Sequence, residues 1–156
     1  MRAGAYHAAG QLRLMIAAAV LAPLAACAAP DAPVVEEAPA TPEALAELNE
    51  ATLYFAQNAG IASYYVTRCG GAGVGYRLGT STEMNLRFFD TLLERGYAPD
   101  QINAAAARVS REDISGAATA HLKARGVDGD DDAAVCAAAL AEIDARTPVG
   151  NMMRKV

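Results

Sequence analysis

The sequence predicts an all-α domain, a small bundle of about four helices with one disulfide, placed behind a signal peptide and a disordered tether. Three observations carry that expectation. Apolar residues recur at helical spacing from Thr41 onward, and no stretch alternates as a half-buried strand does. Helix-opening signals at Thr41-Pro42, Thr80-Ser81-Thr82-Glu83 and Pro99 are matched by closing glycines at Gly70-Gly71, Gly96 and Gly126. Of the 3 cysteines, one ends an N-terminal apolar run, which leaves two in the body of the chain.

The N-terminus has Arg2 and Arg13 without an acid, then the apolar run Leu14 to Ala22, then small residues, the layout of a secretory signal. The run is too short to span a bilayer, which takes about 20 apolar residues, and Pro23 interrupts it. Leu24-Ala25-Ala26-Cys27 resembles the lipobox of bacterial lipoproteins. The resemblance implies cleavage before Cys27, acylation of its thiol, and anchoring to a membrane through the N-terminal lipid. Ala26-Cys27-Ala28 also satisfies the small-x-small rule of ordinary secretion, which would release a soluble protein. In such lipoproteins an Asp after the cysteine tends to hold the protein at the inner membrane. Ala28 stands there, so the implied destination is the periplasmic face of the outer membrane. Residues 1–26 thus read as signal peptide, 27–41 as the lipidated cysteine and a Pro/Ala/acidic tether, and 42–156 as the helical domain.

Removing the signal takes away two arginines and no acid, which moves the formal net charge of −5 two units further negative and argues against a nucleic-acid partner. With Cys27 assigned to lipid, Cys69 and Cys136 remain, and in an exported chain two cysteines point to one disulfide. Such a bridge is worth about 4 kcal/mol in the chain-entropy account. Two buried free thiols are the alternative. The tether, AAPDAPVVEEAPAT, is rich in proline, lacks aromatics and carries Asp31, Glu36 and Glu37; as extended polyproline it would reach about 43 Å.

Thr41 can cap the first helix, Pro42 suits its first turn and Glu43 its positive end. Leu45, Leu48, Thr52, Phe55, Ala59, Ala62, Val66 and Cys69 form an apolar stripe, flanked by Tyr54, Ile61 and Tyr65, which places this helix centrally with contacts on two sides. Gly60 is its weak point, costing about 1 kcal/mol relative to Ala. After Arg68-Cys69, the stretch Gly70 to Gly75 lacks a preceding strand and a Gly-Lys-Ser/Thr ending, so it reads as a loop and not a phosphate cradle. Thr80 and Glu83 fit a capping box ahead of a helix to Arg95 that buries Met84, Phe88 and Leu92, with Phe89 and Leu93 beside them.

From Pro99 to Arg125 the pattern through Ile102, Ala105, Val109, Ile114, Ala118 and Leu122 favours one long helix, bent near Ser110 or Gly116, although Ser110 to Asp113 could cap a separate one. Asp128-Gly129-Asp130-Asp131-Asp132 has acids at the first, third and fifth positions of a calcium loop. Ala133 and Ala139 replace the required Gly and Glu, so these acids read as a helix cap. The last helix, Asp132 to Arg146, presents Val135, Cys136, Ala139, Leu140 and Ile143, and Thr147-Pro148 opens a terminal turn with Met152 and Met153.

Cys69, Arg77, Gly96-Tyr97 with Ile102, Leu122 through Arg125-Gly126-Val127, Cys136 with Glu142-Ile143, and Val149-Gly150 ahead of Met152-Met153 together resemble a small family of exported alphaproteobacterial proteins known as a domain of unknown function. The resemblance covers about 90 residues and implies an all-helical domain with two cysteines in these places. It implies no activity. The lipobox and tether depart from the pattern, as do Val135, where an aromatic residue is usual, and the glycine-rich stretch after Cys69, which puts the length of the second helix in doubt.

His121, the one histidine after residue 26, reads as a half-buried helix residue. The tyrosines at 54, 64, 65, 76 and 97 read as core and core-edge packing. With both remaining cysteines oxidised, no thiolate nucleophile, zinc set, catalytic residue or cofactor is assigned. The expected function is therefore a lipid-anchored periplasmic envelope protein, a structural or adaptor module with an unknown envelope protein partner, and not an enzyme. The alternative is a carrier of a small apolar ligand, for which closely packed alanine-rich helices leave little room; an envelope enzyme ranks below that.

Overall fold

The computed structural model describes residues 41–156. The signal peptide, Cys27 and all of the tether but Thr41 lie outside the described residues. The element order is α1 (Pro42–Cys69), β1 (Val74–Tyr76), α2 (Ser81–Glu94), α3 (Pro99–Ala106), α4 (Arg111–Ala124), α5 (Asp132–Ala145) and β2 (Met153–Lys155). The described residues are mostly helical, with five α-helices against the four expected. None of these helices is long and apolar enough to cross a membrane.

α1 begins where the sequence signals it, with Thr41 Oγ1 accepting the Ala44 amide at 3.2 Å and Pro42 in the first turn. It is the central element: α3, α4, α5 and β1 all pack on it. Two clusters form along its length. Leu48 meets Leu92, Ile102 and Ala105 in one, while Ile61, Ala62, Tyr65 and Cys69 meet Val74, Leu122, Val135, Ala139, Val149 and Met153 in the other. Because the two sets of neighbours approach from different sides, the buried arc departs from the expected stripe. Ile61 and Tyr65 are fully part of the core, Ala59 and Val66 are half-buried, and Tyr54 is 55% exposed. Two polar side chains on the buried arc bond to their own helix: Thr52 Oγ1 donates to the Leu48 carbonyl at 2.7 Å and Asn58 Nδ2 to the Tyr54 carbonyl at 2.8 Å. Gly60 is a crossing point as well as a weak one, since a Cβ there would come within 2.2 Å of Ile114 Cγ2 on α4.

The single helix expected over 99–125 is two. Residues 107–110 leave helical geometry, and Ser110 is extended at φ −83°, ψ 161°. Its hydroxyl accepts the Asp113 amide at 3.1 Å while Asp113 Oδ2 accepts the Ser110 amide at 2.9 Å. This reciprocal box gives the first amides of α4 partners that a continuous helix would have taken from the preceding turn. The Ser110 hydroxyl, and then its amide, hold the Asp113 carboxyl below the usual carboxylate range.

β1 and β2 pair antiparallel, with Val74 opposite Lys155 and Tyr76 opposite Met153. Strands were not expected in either place: the first reads as a glycine loop and the second as a turn, because three residues are too few to show alternation. Arg77 extends the contact, its amide donating to the Met152 carbonyl at 2.9 Å and its Nε to the Asn151 carbonyl at 2.7 Å. Cys69, fully buried, and Cys136 have Cα atoms 5.4 Å apart and stand at disulfide distance, joining the end of α1 to α5.

Ser110→Ala removes one half of the box and is expected to lower stability by about 1 kcal/mol. Urea unfolding followed by circular dichroism measures this. An unchanged midpoint would mean that something other than the cap separates α3 from α4.

Candidate functional site

A buried polar network lies where α4, α5 and the C-terminal segment meet. Helical spacing puts His121 and Arg125 one turn apart on the same side of α4. Glu142 comes from α5, in register with Val135 and Ala139, and is only 3% exposed. α5 ends at Arg146, whose positive φ of 51° turns the chain back over the helix. That reversal brings the Thr147 hydroxyl to donate to Glu142 Oε2, and Thr147 Oγ1 in turn accepts the Gly150 amide at 3.0 Å. Gly150 lies directly on the α5 backbone: a Cβ there would sit 1.8 Å from the Glu142 carbonyl oxygen.

Glu142 Oε1 faces two further groups, accepting from His121 Nε2 at 2.8 Å and forming an ion pair with Arg125 Nε at 2.5 Å. Arg125 Nη1 lies 3.1 Å from His121 Nδ1. A guanidinium only donates, so Nδ1 must be the acceptor and the imidazole proton must be on Nε2, facing the carboxylate. The electrostatics agree: burial first, and then the Arg125 charge, push the His121 pKa down despite the nearby Glu142 carboxylate. Tyr65 lies against this pair, its ring edge-on to His121 with centroids 6.0 Å apart. Its hydroxyl is buried without a partner among the described residues, and its pKa is pushed up to about 12 by burial and then by Glu142.

The chemistry follows from this accounting. Both His121 nitrogens are committed, the carboxylate accepts from His121 and Thr147 and pairs with Arg125, and the Tyr65 phenol holds its proton. The network joins two helices and the terminal segment. The acids at 128–132 are also used locally. Asp131 Oδ1 accepts the Ala133 and Ala134 amides at 2.9 and 3.0 Å, and Asp128 Oδ1 accepts the Asp130 amide at 3.0 Å. Arg68 ties this loop to α1, donating to the Tyr64 hydroxyl, the Gly129 carbonyl and the Asp132 carboxylate. Among the described residues no group of His, Cys, Asp and Glu is arranged to hold a metal ion.

Of the residues singled out in the sequence, Cys69 and Cys136 come together, His121 is half-buried, and Cys27 lies outside the described residues. Arg125 and Glu142 stood in the sequence only as pieces of the family resemblance and Thr147 only as the opening of a turn, none with a role in a site. The available signal was an acid on the buried stripe of α5, three residues after Ala139.

A family model, described as a family of unknown function (DUF5333), matches residues 56–154. The chain belongs to that family. The match runs from the middle of α1 into β2, and so takes in the whole network and both paired cysteines. Arg125, Glu142 and Gly150, separate pieces of the sequence resemblance, are here parts of one contact. No curated protein and no solved structure matches the chain.

Glu142→Ala would leave His121, Arg125 and Thr147 without their common acceptor. Loss of one partner of a buried pair costs about 3 to 5 kcal/mol, and because Arg125 reaches water the lower end is expected. Thermal unfolding of the variant checks this.

The depressed His121 pKa gives the sign of a pH effect. The unfolded imidazole binds a proton near its ordinary 6.5 and the folded one only below that, so stability is full above this value and falls as pH drops beneath it. The slope is at most about 1.4 kcal/mol per pH unit. Denaturant midpoints between pH 7 and about pH 5 should drift downward in the wild type and flatten in His121→Gln.

Proposed function

We propose that this chain is a lipid-anchored protein of the bacterial cell envelope, attached through an acylated Cys27 to the periplasmic face of the outer membrane. Its helical domain acts as a structural or adaptor module for an envelope protein partner. The observation that carries the anchoring is Leu24-Ala25-Ala26-Cys27 at the end of an apolar run. What supports a role in contact over one in catalysis is that the one histidine of the domain is held at both ring nitrogens, by Glu142 and Arg125. The cysteine pair fits the same reading, because an oxidising compartment would keep Cys69 and Cys136 bonded.

In cells fed a radiolabelled fatty acid, the wild-type chain should take up label and Cys27→Ala should not, instead accumulating as a precursor. A correctly processed, membrane-retained Cys27→Ala chain would defeat the anchor. Crosslinking in intact cells, comparing the wild type with a variant lacking residues 30–39, tests the adaptor role: specific protein crosslinks should be lost on shortening.

A further inference from the structure

The two clusters along α1 do not meet. Between them is a cleft of about 480 Å³, bounded by α1, α2, α3, the turn at Val109 and Ile114 of α4. Its walls are Phe55, Met84, Phe88, Phe89 and Ile102, with small residues such as Ala59 and Ala106 between them. Phe55, Phe88, Phe89, Val109 and Ile114 are all left half-buried around this space. The space lies where α3 ends and α4 begins after the capped Ser110.

We infer that this cleft is a binding site for a neutral, single-chain aliphatic lipid. Size, charge and wall chemistry each narrow the occupant. The volume falls within the range of about 300 to 1,000 Å³ typical of small-molecule sites. The lining runs along α1 from Thr52 to Ser63, about 17 Å at 1.5 Å per residue, an elongated shape that suits an extended hydrocarbon chain.

No charged side chain lines the cleft among the described residues; its polar groups are the neutral Thr52, Ser63, Ser81, Asn85 and Asn103. A buried ionised head group would therefore lack a counter-charge. Phe55 and Phe88 stack face to face, with centroids 3.9 Å apart and planes within 2°, so these two rings use a face on each other. That favours an aliphatic chain over a flat aromatic ligand. This site is independent of the anchor, since it takes a separate molecule and lies wholly within the described domain.

The test uses the full chain carrying Cys27→Ser, which keeps acyl groups off the protein whether or not Cys27 is normally modified. The probe is parinaroyl glycerol, a neutral single-chain lipid whose polyene fluoresces when shielded from water, used below its aggregation concentration. Saturable binding is expected, displaced by monoacylglycerol and not by anthracene. Ala106→Trp and Asn103→Trp each place a bulky side chain at the cleft from an exposed position and should weaken binding at least tenfold. Ala104→Trp, on the same helix but outside the lining, should leave it within twofold and serves as control. Circular dichroism of each variant verifies folding. Absence of saturable binding, binding indifferent to both plugging variants, or displacement by anthracene alone would overturn the proposal.

Discussion

A helix of 28 residues is about 42 Å long and needs apolar cover along all of it, yet the other helices have 8 to 14 residues and reach at most about 21 Å. No single neighbour can cover α1. Two sets of shorter elements must share the task, α2 and α3 on its first half, and α4, α5 and the strand pair on its second. From this mismatch follow the two clusters, the need for a break between α3 and α4, and the incomplete filling where one set gives way to the other.

The second half carries the stronger constraints. There the cysteine pair, the Gly150 contact on α5 and the Glu142 network all join the same elements. Apolar packing alone tolerates small slides of one helix along another. A carboxylate that must meet an imidazole, a guanidinium and a hydroxyl at once tolerates very little, because any displacement leaves a buried polar group unpaired. Glu142 thus fixes the relative position of α4, α5 and the returning segment, while the bulk of the favourable free energy comes from Tyr65, Leu122, Val135 and Met153 around it.

What was legible in the sequence was local. Thr41 and Thr80 announce helix starts because a cap bonds within three residues, while Ser110, which caps in the same way, was outweighed by the apolar pattern that runs on through it. The cysteine pairing follows from having two candidates once Cys27 is set aside. Long-range features were hidden for physical reasons: β1 and β2 are three residues each and find their partner across nearly the whole domain. Glu142 resembles any solvated acid on an alanine-rich helix until the fold turns it inward. The cleft is absent from any local pattern, since it arises from where helices fail to meet.

The strand pair and the Gly150 contact also set an order of events in time. Val149 and Met153 are core residues of the second cluster, and they follow the five α-helices of the described residues. While the polypeptide is being synthesised, every helix can form in outline, but that cluster lacks two of its members and Glu142 lacks one of its donors. Closure of that cluster waits for the stretch from Val149 to Met153, so the second half of the domain completes its packing only after its helices are in place.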